Sequence, residues 1–145
     1  MPLPFTDLVQ FIGDRLGRYE NKPAPNLLTA REIGIYGERT AAVFLRRHGY
    51  RILYRNYRTT GGEIDLICRD TDVLVFVEVR TRGSTVFGHP VESIGADKQE
   101  NLRYAAQRYL ELLDNPPIFY RFDAVEVMLN KGEIPVCTLQ RNLFS

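Results

Sequence analysis

Val73-Leu74-Val75-Phe76-Val77-Glu78-Val79 constrains the fold more than any other stretch, because six of its seven residues are apolar and the first five follow one another without a polar residue. A strand with one wet face alternates, whereas an unbroken apolar run of this length reads as a strand covered on both faces. Cover on both faces calls for helices above and below a sheet, and two segments have the period to supply them. Ala30 to His48, ended by Gly49, carries the stripe Gly34, Glu38, Ala41, Ala42 and Leu45. Asp97 to Leu113, ended by Asn115-Pro116-Pro117, carries Lys98, Leu102, Ala105, Ala106, Tyr109 and Leu113.

The remaining segments read as strands and turns. Tyr50 to Tyr57 is rich in aromatic and branched residues, Thr60-Gly61-Gly62 is a turn, and Glu63 to Cys68 is a short strand. Arg69 to Asp72 reverses the chain into the apolar run, Gly83 to Pro90 is a loop, and Tyr120 to Leu129 and Pro135 to Leu139 close the sheet. The order is helix, three strands, helix, two strands, which predicts one α/β domain with a mixed central sheet flanked by helices. Ahead of it, Phe5, Leu8, Phe11, Ile12 and Leu16 form a helical stripe, and Lys22-Pro23-Ala24-Pro25-Asn26 reads as a linker. Residues 1–30 are therefore expected to be an N-terminal helical extension and residues 31–145 the main domain.

Composition narrows the setting. At 145 residues, 44% hydrophobic and 26% charged, the chain suits one globular domain. No apolar stretch is long enough to span a bilayer, and MPLPFTDLVQF lacks the basic start and small-residue site of a signal peptide. Cys68 and Cys137 show no metal-binding spacing, so a reduced, cytoplasmic protein is expected. The net charge of +1 hides an asymmetry: residues 1–58 hold ten Lys/Arg against five Asp/Glu (+5), and residues 59–145 hold nine against thirteen (−4). Arg39, Arg46, Arg47, Arg51, Arg55 and Arg58 follow one another with no acid among them, which suits either a solvated face or a surface for a phosphate backbone. Tyr50, Tyr54 and Tyr57 are interleaved with them, either as core residues or as surfaces on which bases stack.

The chemistry concentrates on Asp65 and Glu78, thirteen residues apart. On adjacent antiparallel strands these carboxylates can lie side by side, with Arg80 on the same face as Glu78 because side chains alternate. Two carboxylates at the mouth of a sheet hold one hard cation through oxygen, as Mg²⁺ (or Mn²⁺) requires. Glu38 faces inward from the first helix and offers a third acid, and Lys98 faces inward from the second. An unpaired buried carboxylate is costly, so Glu38 in particular needs a cation or several donors. Structural alternatives stand beside each residue. Asp65 can cap the turn after Gly62, Glu78 can be neutralised by Arg80 or Arg82, Glu38 can pair with an arginine, and Lys98 can snorkel. His89, between Gly88 and Pro90, reads as a loop histidine, with a metal or phosphate contact as its alternative.

Gly37-Glu38, Ala41, Leu45, Gly49-Tyr50, Ile52-Leu53, Asn56 and Arg58 resemble the opening of the small bacterial YraN-like proteins. Gly62-Glu63-Ile64-Asp65-Leu66-Ile67, Val75 to Arg82, Phe87-Gly88, Lys98 and Arg121-Phe122-Asp123 continue the resemblance in order, across about residues 31–130. That family is similar to archaeal Holliday-junction resolvases of the PD-(D/E)XK nuclease superfamily. The resemblance implies a restriction-endonuclease-like fold and Mg²⁺-dependent hydrolysis of branched or duplex DNA. By position it makes Asp65 and Glu78 metal ligands, Glu38 the helix acid, and Arg80 the occupant of the motif's lysine position. Arginine there departs from the motif, since a permanently charged guanidinium cannot act as a base; Lys98 offers a substitute from the helix.

These expectations combine into a DNA endonuclease. Glu38, Asp65 and Glu78 would hold metal, Arg80 and Lys98 would stabilise the reacting phosphate, and Arg46, Arg47, Arg51, Arg55, Arg58 and Arg82 would grip the DNA. By analogy with a symmetric junction, the assembly would be a homodimer. The rivals are a DNA-binding module without hydrolysis, favoured by Arg80, and an interaction adaptor, favoured by the mild net charge and the N-terminal segment.

Overall fold

The computed structural model describes residues 29–83, 95–130 and 132–144. In order these form α1 (Ala30–Arg47), β1 (Arg51–Thr59), β2 (Gly62–Asp70), β3 (Val73–Gly83), α2 (Ala96–Leu112), β4 (Phe119–Leu129) and β5 (Val136–Gln140). Helix, three strands, helix and two strands is the succession that the periodicity predicts. The stripe Phe5–Leu16, the linker and His89 lie outside the described residues.

The ends of α1 are fixed locally. Thr29 caps it, its Oγ1 accepting from the Glu32 N–H at 3.1 Å. At the other end Gly49 adopts φ +87°, and the N–H groups of Gly49 and Tyr50 return to the carbonyls of Arg46 and Leu45 at 3.1 and 3.0 Å. This Schellman closure turns the chain into β1 and delivers Tyr50 to the core. At the end of α2 the same pair of bonds forms, from Asp114 to Glu111 and from Asn115 to Leu110, with Asp114 in the left-handed region at φ 60°.

The five strands lie in the order β1-β2-β3-β4-β5, antiparallel except for β3 and β4, which run parallel with α2 between them in sequence. β3 is central, and its side chains divide between two cores. Val75 and Val77 join Ala41, Leu45, Leu66 and Val125 beneath α1, while Leu74 and Phe76 join Leu102, Ala106, Tyr109 and Phe122 beneath α2. Two cores explain why the run in β3 is unbroken, since each of these side chains contributes roughly 1.5–3 kcal/mol when fully buried on either side.

Three sequence expectations need correction. β3 continues past Val79 to Gly83, because Arg80, Thr81 and Arg82 keep pairing with Glu126, Val127 and Met128 of β4; a charged stretch beside a neighbouring strand carries no apolar signal. The expected inward stripe begins at Gly34, but the glycine of α1 that meets the sheet is Gly37: a Cβ there would fall on the Thr81 side chain, whereas one on Gly34 would meet nothing within 4 Å. Tyr50 begins no strand; it is buried between α1 and β1. Among the described residues, no helix is long and apolar enough to cross a membrane.

Candidate metal centre

β2 and β3 pair from Asp70 opposite Val73 up to Leu66 opposite Val77, and there the ladder stops. β3 continues against β4 alone, while β2 turns off with β1 toward α2. Their hairpin tip packs against that helix so closely that a Cβ on Gly62 would strike the Asn101 backbone and one on Gly61 the Tyr104 ring. A fork therefore opens between two strands, and the next residue on each side of it is an acid: Asp65 on β2, Glu78 on β3.

Local irregularity places Asp65 in the fork. Ile64 packs in the α2-side core and Leu66 in the α1-side core, so strict alternation breaks at the residue between them. In the β1 register the residue opposite Asp65 is Asn56, which has φ 53°. Asp65 Oδ2 accepts a hydrogen bond from the Val79 N–H at 2.8 Å, substituting for the ladder bond that the separating strands no longer make. Asp65 is thus no turn cap.

Each helix adds one charge to the fork. Lys98, in the first turn of α2, places Nζ 3.3 Å from Glu78 Oε1 and forms an ion pair with it. Glu38, on α1, has its Oε1 buried with no hydrogen-bond partner among the described residues. Burial and the nearby Asp65 carboxylate push the Glu38 carboxyl up to about 7, although Arg55 and Arg58 draw it down. Asp65 is raised chiefly by burial, against the Val79 bond and Lys98. Glu78 is raised by burial and by Asp65, against Lys98 and Arg80. Three carboxyls with raised pKa values at one place form a site that resists its own negative charge.

Such a site suits a divalent cation. The donors are hard carboxylate oxygens, one buried oxygen lacks a partner, and added positive charge relieves every upward shift. No three His, Cys, Asp or Glu among the described residues are gathered tightly enough to form a metal site by themselves. A cation held through one or two carboxylates, with other oxygens from water or a phosphate, is the mode that Mg²⁺ commonly adopts.

The other residues singled out in the sequence fall into two groups. Arg80 lies on β3 beside Glu126 of β4, near enough to lower the Glu78 pKa, and Arg55 and Arg58 act on Glu38. Arg82 is two residues farther along β3, with Nε buried and, among the described residues, without a hydrogen-bond partner. Arg46, Arg47 and Arg51, at the end of α1 and the start of β1, are exposed at the opposite end of the sheet, where Arg51 faces Arg69. The structure therefore gathers Glu38, Asp65, Glu78, Arg80, Lys98, Arg55 and Arg58, and does not bring Arg46, Arg47 or Arg51 to them.

One polar cluster was given no role in the sequence reading. Asp123 is wholly buried, accepting from Tyr50 Oη at 2.9 Å, from Arg121 Nε at 3.0 and 3.2 Å, and from the Asn142 N–H at 3.0 Å. Arg121 also donates to Tyr50 Oη at 2.8 Å and to Asp70 Oδ2 at 2.7 Å. The available signal was an Arg and an Asp two apart on one face of an otherwise apolar strand. The cluster ties the α1–β1 connection, β2, β4 and the C-terminal segment together.

Comparison with known proteins places the whole centre inside one family. The model of "Uncharacterised protein family UPF0102" matches residues 37–127, a span that contains Glu38, Asp65, Glu78, Arg80, Lys98 and Asp123. A UPF0102 protein of Caldicellulosiruptor saccharolyticus is 42% identical over 118 residues, covering 81% of this chain and 100% of that protein. A second, of Symbiobacterium thermophilum, is 46% identical over 115 residues, covering 79% and 98%. A third, of Syntrophomonas wolfei, is 45% identical over 106 residues, covering 71% and 90%.

Proposed function

The chain belongs to the UPF0102 family, and we propose that it is a Mg²⁺- or Mn²⁺-dependent DNA endonuclease of the PD-(D/E)XK type, acting on branched or duplex DNA. The observation that carries this reading is the fork: Asp65 and Glu78 adjoin where β2 leaves β3, with Lys98 on Glu78 and Glu38 supplied by α1. The α/β architecture, a mixed sheet between helices, is compatible with a restriction-endonuclease-like fold.

In this reading Asp65 and Glu78 would hold the cation, water or phosphate oxygens would fill its remaining positions, and Glu38 would add a further negative charge from α1. When bound, the cation supplies Lewis acidity toward the phosphodiester and the attacking water. The Val79 N–H holds one oxygen of the Asp65 carboxylate, leaving the other to serve as the ligand. Lys98 brings an ammonium to Glu78, where it would orient the attacking water and neutralise the reacting phosphate, the role that the PD-(D/E)XK motif gives to a β-strand lysine. Arg80 cannot take up a proton, so its part is to engage phosphate oxygens. Arg55 and Arg58 meet the adjoining phosphates; Arg46, Arg47 and Arg51, at the far end of the sheet, meet DNA away from the cut. A two-fold branched substrate would be matched by a homodimer.

The test is titration calorimetry with Mn²⁺ on the wild type, Asp65→Ala and Glu78→Ala, run beside cleavage of a labelled four-way junction. Wild-type binding and cleavage, both lost in the variants while the fold is kept, support the nuclease. A second reading, a DNA-binding module without hydrolysis, is favoured by Arg80 at the lysine position. Junction binding without metal uptake or cleavage would establish it, and absence of both metal and DNA binding would point to an adaptor.

A further inference from the structure

β1 stands at one edge of the sheet, pairing among the described strands with β2 alone, and its sequence RILYRNYRT holds three arginines and no acid. Its side chains sort onto two sides. Arg55 and Arg58 lie toward α1, near enough to Glu38 to lower its pKa. Tyr57 lies toward α2, its ring edge-on to Tyr109 with centroids 5.3 Å apart. Asn56, at φ 53° between Arg55 and Tyr57, is where the strand departs from regular extended geometry.

The tyrosines form a rising series of edge-to-face contacts. Phe76 in the core meets Tyr109 at 6.1 Å, Tyr109 meets Tyr57, and Tyr57 meets Tyr54 at 5.6 Å and 84°. The last ring is held from below yet is 44% exposed. Arg108 of α2 adds a positive charge beside Tyr57. A held, exposed aromatic ring is more than core packing requires, because an edge strand would be better protected by polar side chains there. Arginines along one side of the strand and a braced ring on the other match a nucleic-acid strand whose phosphates follow the first and whose bases stack on the second. A duplex hides its base faces and has no use for the ring.

We propose that the β1 edge binds an unpaired DNA strand next to the metal centre, with Arg55 and Arg58 on its phosphates and Tyr54, braced by Tyr57, stacked on a base. This narrows the substrate of the nuclease to DNA with a single-stranded flank, and it rests on that reading only for where the strand is cut. Of the interleaved tyrosines, Tyr50 is excluded by burial, and Tyr54 carries the contact.

Fluorescence anisotropy in EDTA, which removes any dependence on metal or cleavage, tests it with an eight-nucleotide oligothymidylate, an abasic chain of equal length and a duplex of that length. Expected is tighter binding of oligothymidylate than of the abasic chain, and a loss of roughly tenfold in Tyr54→Ala for oligothymidylate alone, the worth of about one base stack. Arg55→Gln/Arg58→Gln should weaken both single-stranded probes and flatten their salt dependence. Tyr54→Phe should bind like the wild type. Equal affinity for oligothymidylate and abasic chain, or a duplex preference untouched by Tyr54→Ala, overturns the proposal. A protein that binds as expected here yet never cuts DNA with Mn²⁺ keeps the strand site and loses the nuclease reading.

Discussion

Lys98 Nζ lies 3.3 Å from Glu78 Oε1, so the first turn of α2 is pinned to β3 at the point where β2 separates from it. The ammonium occupies one side of a carboxylate whose protonation is already favoured by burial and by Asp65. In the absence of divalent metal it is therefore a counter-ion, and in its presence a competitor.

The first prediction follows from that competition. Replacing Lys98 by Met keeps the stem and removes the charge, so the carboxylates lose a cation that repels any metal. Mn²⁺ affinity in Lys98→Met should rise, on the order of tenfold for two positive charges a few ångströms apart in a partly buried site. Titration calorimetry measures it. Unchanged affinity with a lowered Tm would make Lys98 a structural tether only.

Glu38 makes the pH dependence testable. Its ordinary pKa of 4.5 rises to about 7 in the folded chain, so the folded state holds this proton more tightly than the unfolded state. The associated stability is fully present below 4.5 and is lost as pH rises through about 7. Metal-free Glu38→Gln should therefore melt a few degrees above the wild type at pH 8. Near pH 5 the difference should almost vanish, and added Mg²⁺ should narrow it at pH 8. Melting curves in EDTA and in Mg²⁺ at both pH values check this, and a difference independent of pH would assign the effect to packing.

Asp123 should matter to the fold and not to the centre. Asp123→Ala leaves the Tyr50 hydroxyl and the Asn142 N–H without their acceptor and Arg121 with Asp70 as its remaining carboxylate, a loss of about 1–3 kcal/mol. Tyr50→Phe removes one donor while Arg121 and the Asn142 N–H remain, a loss of about 1–2 kcal/mol. Urea denaturation measures both. The Tyr50→Phe protein should bind Mn²⁺ as the wild type does, and a loss of metal affinity there would mean that the cluster shapes the fork.

How much of this was legible can be judged from single residues. The unbroken run in β3 and the stripes from Ala41 and Leu102 carried the architecture, because burial on a fixed face leaves a periodic trace. Asp65, Glu78 and Lys98 were legible as inward charges, but their partners were not. The Lys98 pairing depends on where α2 sits over the fork, and the Asp65–Val79 bond on where the ladder ends, neither of which has a local code. The six arginines looked continuous from Arg39 to Arg58, yet the turn at Gly49 and the length of β1 put Arg46, Arg47 and Arg51 far from Arg55 and Arg58. Asp123 was overlooked because an acid in a strand gives no sign of the donors that arrive from the α1–β1 connection and from the C-terminal segment.

The last prediction asks whether an ammonium can be moved between two elements of the same fork. In the PD-(D/E)XK motif of the proposed reading the lysine stands on the strand, two residues after the second acid, a place that Arg80 would hold here. Arg80 and Lys98 both lower the Glu78 pKa, so a positive charge reaches the same carboxylate from β3 and from α2. A guanidinium is planar and engages two oxygens at once, whereas an ammonium is compact and directs single bonds. If Lys98 performs the motif lysine's work, Lys98→Met should lower cleavage on the order of a hundredfold, the scale of a misplaced reacting group. Adding Arg80→Lys to that variant puts an ammonium on the strand and should recover at least roughly tenfold of the loss. Arg80→Lys alone should cut nearly as well as the wild type, since Lys98 is still in place. The measurement is single-turnover cleavage of a labelled junction by all four proteins at equal bound fraction. A double variant as inactive as Lys98→Met would show that the helix lysine acts from a position the strand cannot supply. Full activity in Lys98→Met would leave Arg80 as the adapted residue.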